Sequence, residues 1–305
     1  MKSDFLVVCL NPTIQKTIIL NELIEDEVNR STEYRTDASG KGINVTRVLA
    51  QLGTASVHLT QSGYGSDYFI KLSNKDNLNL VTAANTSPIR TCTTLINNKR
   101  KTVTEIVEES FPVDEGTGIL IMDLYNELLA NTSNVVISGS KAPGFEGTIF
   151  PEMVYLAKTA GKTVILDYRG KDLINSIEYN PDIVKINFPE FVSTFFPDYS
   201  IGEHEENTEL KKLVIDKMLE LFRVSGIKTI LTRGTMPVLF IDDIGIIQEE
   251  EIQKIKTVNT IGSGDAFTAG LAFKLNQGYG IKEAVRFGIE CGSKNAALLK
   301  PGVIR

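Results

Sequence analysis

The residues best suited to chemistry in this chain lie in the run VNTIGSGDAFTAG, at positions 258–270. Gly262 and Gly264 allow backbone conformations and a close ligand approach that a Cβ atom would block. A strand-like segment ends here and a helix is predicted to begin, so the unpaired first amides of that helix would attract phosphate. The amides of Gly262, Ser263 and Gly264 could then stabilise the charge on a transferring phosphoryl group.

Asp265 stands at the same predicted helix start and could accept the proton of an attacking hydroxyl group. The helix dipole and the neighbouring amides favour its ionised form. The alternative is an ordinary aspartate cap after a glycine-rich turn, which would have no catalytic role.

A second polar constellation is the run SGKGIN at positions 39–44. Gly40 and Gly42 let backbone amides approach an oxygen-rich ligand. Lys41 offers a cation, and Asn44 offers both a donor and an acceptor. The alternative is a strand-to-helix turn with an exposed lysine. The chain contains neither G-x-x-x-x-G-K-[ST] nor G-x-G-x-x-G, which argues against Walker NTPases and typical dinucleotide-binding enzymes.

The composition narrows the function classes further. Of the 305 residues, 42% are hydrophobic and 23% charged, and the formal net charge is −6. A chain of this length can bury a large core. Its mild acidity argues against nucleic-acid binding, which normally uses a basic face. No run approaches the roughly 18 consecutive apolar residues that span a bilayer, and no signal peptide opens the chain, so we expect a cytoplasmic protein without a membrane partner.

Only two histidines occur, His58 and His204, which excludes a histidine-rich metal site. His58 lies in an alternating apolar run and His204 in a charged stretch, so we expect both side chains to be structural or solvated instead of catalytic. The cysteines Cys9, Cys92 and Cys291 are widely spaced and odd in number, which predicts small buried thiols in a reducing compartment. Catalysis would therefore depend on carboxylates, cations and backbone dipoles.

Short β-branched runs alternate with longer helical patterns, which predicts an α/β fold with a mostly parallel central sheet and helices on both faces. The predicted strands are Phe5–Leu10, Val135–Ser138, Val164–Tyr168, Ile183–Ile186, Thr229–Thr232 and Val238–Ile241. The predicted helices are Gly42–Leu52, Gly118–Asn131, Thr148–Ala160, Glu209–Val224, Gly264–Gln277 and Ile281–Leu299. The apolar stripe between Val45 and Leu52 is interpreted as core.

Two strand pairs break this alternation, namely Lys16–Leu20 with Asn29–Thr36 and Arg90–Asn97 with Thr102–Glu108. They predict a small accessory sheet with one apolar face, which must be covered by the main domain, by ligand or by a partner subunit. We therefore expect a single domain over residues 1–305, with lid strands contributed by about 13–36 and 89–110.

The runs ASGKGINVTRVLAQLG (38–53) and VNTIGSGDAFTAGL (258–271) resemble the two signature regions of the ribokinase/PfkB family of carbohydrate kinases. Other segments resemble family motifs in the family's order: Leu10-Asn11-Pro12, Ser138-Gly139-Ser140 with Pro143-Gly144, Lys185-Ile186-Asn187 with Glu190, and Thr232-Arg233-Gly234. The resemblance covers the whole chain. It implies a ribokinase-like fold with a small β-sheet lid and ATP-dependent transfer of a phosphoryl group to a sugar.

Further details resemble the phosphosugar branch of that family, which includes 1-phosphofructokinase and tagatose-6-phosphate kinase. They are the Asn-Pro opening, the run GKGINV, Asn259, Asn29-Arg30, Arg90 and Thr104-Glu105-Ile106. Arg30, Lys41 and Arg90 would supply cations near the lid for a substrate that already carries phosphate, although any one of them could instead be a solvated surface charge.

The resemblance implies a role for each matched position. Asp265 would be the general base, beside an anion hole formed by the amides of Gly262, Ser263 and Gly264. Residues implied to bind ATP are Lys185, Asn187, Thr232, Gly234, Gly262 and Gly264. With Asn187, Glu190 would organise Mg²⁺, through water. Residues implied to contact the substrate are Asn11, Gln15, Arg30, Ser39, Gly40, Lys41, Gly42, Asn44, Arg90 and Ser140. The lid would close over the substrate and often forms a dimer interface in the family, which implies a homodimer.

Three positions depart from the family pattern. Gln15 replaces an aspartate that binds substrate hydroxyls, Ser39 replaces the first glycine of the N-terminal signature, and Ile186 replaces a proline. None of them touches the base or the anion hole, so they put the substrate in doubt and leave the kinase chemistry intact. Two other classes remain as alternatives, a non-catalytic sugar-phosphate sensor and a nicotinamide oxidoreductase. The sequence leaves open the sugar, the requirement for a monovalent cation, allosteric control and the size of the oligomer.

Overall fold

The computed structural model of the protein describes residues 3–31, 33–202, 205 and 207–305. His204, whose side chain we predicted to be structural or solvated, lies outside the described residues, and so do Met1 and Lys2 at the start of the chain. Within the described ranges, no helix has both the length and the apolar character needed to cross a membrane.

A nine-stranded sheet forms the centre of the molecule, in the order β13-β12-β11-β10-β9-β8-β1-β4-β5. Its strands, numbered along the chain, are β1 (Ser3–Val8), β4 (Ser56–Ser62), β5 (Leu80–Ala84), β8 (Thr132–Ser138), β9 (Thr163–Asp167), β10 (Ile183–Asn187), β11 (Lys228–Arg233), β12 (Met236–Ile241) and β13 (Ile247–Glu250). Strands from β11 to β5 pair in parallel, and β12 and β13 add an antiparallel edge. The predicted mostly parallel α/β fold is confirmed.

The helices are α1 (Lys41–Gln51), α2 (Ser66–Asn74), α3 (Thr117–Leu129), α4 (Ile149–Thr159), α5 (Lys171–Ile177), α6 (Phe188–Phe195), α7 (Thr208–Ser225), α8 (Ser263–Asn276) and α9 (Ile281–Ala296). All six predicted helices and all six predicted strands of the main sheet are present, with ends shifted by up to three residues. The elements α2, α5, α6, β4, β5 and β13 were not predicted. In five of them too few residues show a period, whereas β4 contains the alternating run around His58, which was not interpreted as a strand.

Both faces of the main sheet are covered. In β1, Leu6 and Val8 pack into one core with α3, α4 and α7, whereas Phe5 and Val7 pack into the other with α1, α8 and α9. All four side chains are fully buried, which explains why this strand has a continuous apolar run instead of an alternating one. Because the strands are parallel, their carboxyl ends meet at one edge of the sheet, where ligands bind in open α/β folds.

The predicted accessory sheet is present, with the order β3-β2-β6-β7. Its strands are β2 (Thr13–Leu20), β3 (Glu33–Ser39), β6 (Arg90–Asn97) and β7 (Thr102–Val107). The strand predicted over Asn29–Thr36 instead begins at Glu33, because the side chain of Asn29 closes the preceding loop through bonds to the backbone of Ile24 and Glu27. We call these four strands the lid sheet.

His58 and the three cysteines are buried and have structural roles. His58 is fully buried, its Nδ1 lies 3.0 Å from Thr46 Oγ1, and burial, helped by the charge of Arg47, lowers its pKa to about 3. Cys9, Cys92 and Cys291 are free and buried, as predicted. None of these groups is placed to act as a base near neutral pH.

Candidate functional site

The glycine turn leads directly into α8, as the sequence predicts. Gly262 has a φ of 82°, and a Cβ atom there would lie 2.9 Å from the amide nitrogen of Gly302, so only glycine fits. No side chain caps α8, which leaves first-turn amides available to an anion. The amide of Ser263 donates to the carbonyl oxygen of Thr260 at 3.1 Å, so a bound phosphoryl group would have to share that donor.

Asp265 is buried in the first turn of α8, with 7% of its surface exposed. Its Oδ2 accepts a hydrogen bond of 2.8 Å from Nδ2 of Asn44, on α1. Burial, followed by the negative charge of Asp167, raises the pKa of Asp265 to about 6, although Lys41 and the Asn44 hydrogen bond act in the opposite direction. The carboxylate therefore has a pKa suited to a general base near neutral pH.

Asp167, at the end of β9, is the most buried charge of the site and was not singled out in the sequence. It lies 3.2 Å from Lys41 Nζ and 3.4 Å from Lys185 Nζ, and it accepts 2.7 Å from Thr268 Oγ1. Burial alone would raise the pKa of Asp167, but the two lysines outweigh it and lower the pKa. A carboxylate at the carboxyl end of a buried parallel strand is the signal that could have found it.

Lys41, in the first turn of α1, connects Asp167 at the end of β9 with Glu190 on α6. Its Nζ lies 3.2 Å from Asp167 and 3.3 Å from Oε1 of Glu190. Burial would lower the pKa of Lys41, but the carboxylates of Asp167, Glu190 and Asp265 raise it, so the ammonium stays charged. The lysine that we predicted as a substrate cation is thus already paired with two carboxylates.

Lys185, on β10, supports the start of α8. Its ammonium is buried and donates to the carbonyl oxygen of Gly264 at 3.0 Å, in addition to its contact with Asp167. A Cβ atom on Gly264 would lie 3.2 Å from Lys185 Nζ. A side chain at position 264 would therefore press against the ammonium that holds the start of α8.

Asn187 and Glu190 form a capping box at the start of α6. The Asn187 side chain accepts from the amide of Glu190 at 2.7 Å, and the Glu190 side chain accepts from the amide of Asn187 at 3.0 Å. Asn187 also lies opposite Thr232 in the parallel register of β10 and β11, and Gly234 follows in the next turn with a φ of 59°. These four residues, predicted to bind ATP or to organise Mg²⁺, are therefore brought to one edge of the sheet.

The side chains predicted to contact the substrate make bonds to one another. Nδ2 of Asn11 donates to Oγ of Ser140 at 3.0 Å, which joins the end of β1 to the loop after β8. Ser39 is buried and its Oγ donates to Oδ1 of Asn44 at 3.2 Å, so its side chain points at the amide of Asn44. Gln15 is also buried.

Gln15 donates to Oγ1 of Thr94 at 2.8 Å, across the lid sheet from β2 to β6. Of the lid cations, Arg30 is exposed and Arg90 is half-buried. Within the described part of the chain, the Nε atom of Arg90 is buried and has no hydrogen-bond partner.

Gly40 and Gly42, in the run SGKGIN, are needed for different reasons. Gly40 precedes α1 with a φ of 110°, a conformation that favours glycine. A Cβ atom on Gly42 would lie 2.6 Å from Cβ of Cys9 and 2.9 Å from Cε1 of His58. Gly42 is therefore demanded by the packing of α1 on the sheet, whether or not a ligand approaches it.

A second residue not found in the sequence, Asn295 on α9, holds the glycine turn from behind. Its Nδ2 donates to the carbonyl oxygen of Ile261 at 2.9 Å and lies 3.2 Å from Ser263 Oγ, while its Oδ1 accepts from the amide of Gly302 at 2.7 Å. An asparagine inside a regular helix gives no sequence signal for such a role, because its partners lie in two separate loops that meet only in the folded chain.

The similarity of this chain to known proteins extends over nearly its whole length. The model of the pfkB family carbohydrate kinases matches residues 5–303. The chain is similar to a 1-phosphofructokinase of Borreliella burgdorferi, with 27% identity over 94% of this chain and 90% of the relative.

Solved structures share the fold at lower identity. Phosphofructokinase-2 from Escherichia coli in complex with fructose-6-phosphate has a TM-score of 0.85 at 19% identity, covering 99% of this chain and 96% of that one. A possible 1-phosphofructokinase from Thermotoga maritima has a TM-score of 0.83 at 22% identity, covering 96% and 91%. A ribokinase from Arabidopsis thaliana has a TM-score of 0.73 at 18% identity, covering 99% and 95%.

Proposed function

The chain belongs to the pfkB family of carbohydrate kinases, and we propose that it phosphorylates a sugar phosphate, with fructose 1-phosphate favoured as the substrate. It is an ATP-dependent sugar kinase, and the family implies ATP with Mg²⁺ as the phosphoryl donor. The favoured product is fructose 1,6-bisphosphate. Tagatose 6-phosphate is the next candidate, followed by fructose 6-phosphate and by sugars without a phosphate.

The environment of Asp265 is the observation that carries the proposal. A buried carboxylate with a pKa of about 6 lies in the first turn of α8, directly beside the glycine turn. In the proposed reaction, Asp265 accepts the proton of the substrate hydroxyl while the hydroxyl oxygen attacks the γ-phosphorus of ATP. The bond from that phosphorus to the β,γ-bridging oxygen breaks, and ADP leaves with the electron pair.

The amides of Gly262, Ser263 and Gly264 are proposed to receive the charge of the transferring group. Their position at the uncapped start of α8 supports this, because the helix dipole adds to the amide donors. Lys185 holds this turn through the carbonyl oxygen of Gly264, and Asn295 holds it through that of Ile261, so its donors need little reorganisation on binding.

Mg²⁺ is proposed to bind beside Glu190, mainly through ATP oxygens and water. Glu190 is a hard oxygen donor near the site, and its carboxylate is already engaged by Lys41 and by the amide of Asn187. Among the described residues, no group of three or more histidine, cysteine, aspartate or glutamate side chains could hold a metal ion. This fits Mg²⁺, which retains several waters and uses few protein ligands. When bound, the ion would neutralise phosphate charge. A monovalent cation is a further proposal that activity with and without K⁺ would test.

Arg90 is the cation that best fits the phosphate already carried by the substrate. Its buried Nε, without a partner among the described residues, has a donor to spare, whereas Lys41 is held by two carboxylates. Planar guanidinium groups bind phosphate in a bidentate manner.

A homodimer through the lid sheet is proposed from the exposure of β7. All six of its residues are exposed, including Val103, Ile106 and Val107. A sheet edge with apolar side chains is normally covered. Sedimentation that finds only monomer at micromolar concentration would contradict this assembly.

The first test measures ADP formation from Mg-ATP with fructose 1-phosphate, tagatose 6-phosphate, fructose 6-phosphate, fructose and ribose. We expect turnover with one phosphosugar, and a loss of at least about 10³-fold in Asp265→Asn, because the base is removed. Asp216→Asn, an exposed aspartate on α7, is the matched control and should retain full activity.

Two outcomes would contradict the proposal. Undiminished activity in Asp265→Asn would show that another group is the base. Ligand binding by folded protein without any ATP turnover would favour the non-catalytic sensor. The oxidoreductase alternative is not retained, because the chain belongs to a kinase family.

A further inference from the structure

Arg47, on α1, is a buried arginine that the proposed chemistry does not use. Only 2% of its surface is exposed. Its Nε donates to Asp76 at 2.7 Å, its Nη2 donates to the carbonyl oxygen of Ala38, and its Nη1 donates to the carbonyl oxygen of Pro301 at 3.0 Å. The same Nη1 also donates to Oδ1 of Asn44 at 2.8 Å. A guanidinium group has donors only, so each of these contacts must present an oxygen.

The contact with Arg47 determines which way the amide of Asn44 faces. Oδ1 of Asn44 accepts from Arg47 and from Oγ of Ser39, at 2.8 and 3.2 Å. The opposite end, Nδ2, donates to Oδ2 of Asp265 at 2.8 Å. If the amide turned over, its NH₂ group would face the guanidinium and its oxygen would face the carboxylate. Both contacts would then be repulsive, so a single orientation is stable.

We propose that Arg47 is a positioning residue for phosphoryl transfer: it holds the amide of Asn44 in one orientation, and Asn44 then holds Oδ2 of Asp265. The other oxygen, Oδ1, has no hydrogen-bond partner among the described residues and can accept the proton of the substrate hydroxyl. This inference rests on the proposed function, because it assumes that Asp265 is the base.

Arg47 also contacts the segment near the C-terminus, which offers a purely structural alternative. Gln51, one turn further along α1, makes comparable contacts: its Nε2 donates to the carbonyl oxygen of Gly302 at 3.0 Å and its Oε1 accepts from the amide of Ile304 at 3.0 Å. The hydrogen bonds of Gln51 do not include Asn44. Gln51→Ala is therefore a matched control that loosens the same segment and leaves the amide of Asn44 alone.

The pH dependence of the reaction distinguishes a positioning role of Arg47 from a purely structural one, because loss of a purely structural contact would leave the pH profile unchanged. The charged groups facing Asp265 are Asp167 from β9, Lys185 from β10 and Lys41 from α1. None of these is altered by a substitution at Arg47. The hydrogen bond from Asn44 lowers the pKa of Asp265, so its loss should raise that pKa above about 6 and move the acidic limb of kcat/KM upward.

The experiment measures kcat and KM with Mg-ATP and fructose 1-phosphate from pH 5 to 9, in the wild type, Arg47→Gln, Arg47→Lys and Gln51→Ala. Thermal unfolding of each variant confirms that it is folded. Arg47→Gln should lower kcat by about 10- to 100-fold, change KM for ATP by less than about threefold, and move the acidic limb up by about one pH unit. Arg47→Lys keeps the positive charge and can replace one of the hydrogen bonds of the guanidinium group, so its kcat should lie between those of Arg47→Gln and the wild type.

The inference is overturned if folded Arg47→Gln has the kcat and acidic limb of the wild type, or if Gln51→Ala reproduces both changes. If Arg47→Gln does not fold, Asn44→Asp replaces it, since its carboxylate still accepts from Arg47 but places negative charge against Asp265. That variant should raise the acidic limb by more than about one pH unit, and an unchanged limb overturns the inference. Activity in Asp265→Asn would instead overturn the base itself.

Discussion

Two regions of the molecule satisfy their polar groups in different ways. One is the lid sheet, and the other is the edge of the main sheet that carries Asp265, Asp167, Lys185 and Lys41, which we call the candidate catalytic edge. At the candidate catalytic edge, the buried carboxylate of Asp167 pairs with the ammonium groups of Lys41 and Lys185. The carboxylate of Asp265 accepts a hydrogen bond from Asn44. In the lid sheet, β7 is exposed along its whole length, and the Nε atom of Arg90 is buried without a partner among the described residues. The proposed phosphoryl-transfer residues are therefore already paired with one another, whereas the lid sheet has an unpaired donor and exposed apolar side chains, which the proposed substrate and second subunit would cover.

We expect the largest effect of a substitution in the buried charge network of Asp167, Lys185 and Lys41. Asp167→Asn removes the charge between two lysines and leaves the ammonium of Lys185 buried with one fewer partner. We expect a loss of about 3–5 kcal/mol in the free energy of unfolding, because breaking a buried pair leaves an uncompensated charge. Urea unfolding at pH 7 measures it.

The matched control for that variant is Glu290→Gln, which removes an exposed ion pair with Lys294 on α9. Exposed pairs of this kind contribute roughly 0.3–0.5 kcal/mol. Equal effects of the two substitutions would mean that the network at the candidate catalytic edge is solvated and not preformed.

The second test concerns the stability cost of the base. Since burial and Asp167 raise the pKa of Asp265 to about 6, the folded protein binds that proton more tightly than the unfolded chain. The stability that this protonation contributes is present at low pH and is lost as the pH rises through about 6. Asp265→Asn cannot ionise. As the pH rises from 4 to 8, its free energy of unfolding should therefore increase by about 2–3 kcal/mol relative to that of the wild type.

Urea unfolding of both proteins across that pH range makes the measurement, with Asp216→Asn as the exposed control. A stability difference that does not change with pH would contradict the raised pKa. It would also imply that the base is more solvated than its burial indicates.

The smallest expected effect lies in the lid. Arg90→Ala should raise KM for the phosphosugar by about 10- to 100-fold and leave KM for ATP nearly unchanged, because a bidentate phosphate contact is lost. Arg100→Ala, in the exposed turn between β6 and β7, is the control on the same sheet. If Arg90→Ala instead lowers kcat alone, Arg90 acts on the transition state and the lid is not a separate substrate-binding region.

The parts of the fold that the sequence predicted are those with a long local period. The helices at 42–52, 264–277 and 281–299 and the buried strands have enough apolar residues to show it. The short helix α6 was missed, because its capping box at Asn187 and Glu190 follows a strand without a break. The strand predicted from Asn29 began later, because the amide of that residue closes a loop.

In the candidate site, glycine spacing and Asp265 were visible in the sequence because a helix start with small residues is a local pattern. Asp167, Asn295 and Arg47 were not. Each acts through partners more than a hundred residues away or through several loops at once, and one sequence contains no signal for such contacts. The predicted cation Lys41 was found between two carboxylates, which its neighbours in sequence could not show.

The α/β class, the lid strands and the position of the candidate base could all be predicted from the sequence, because periodicity and glycine turns depend on residues close together in the chain. The protonation and orientation of that base could not be predicted, because they depend on contacts between separate elements. Its pKa depends on burial and on Asp167, and its free oxygen depends on Asn44 and Arg47. These are effects of distance and dielectric between elements that meet only when the chain is folded.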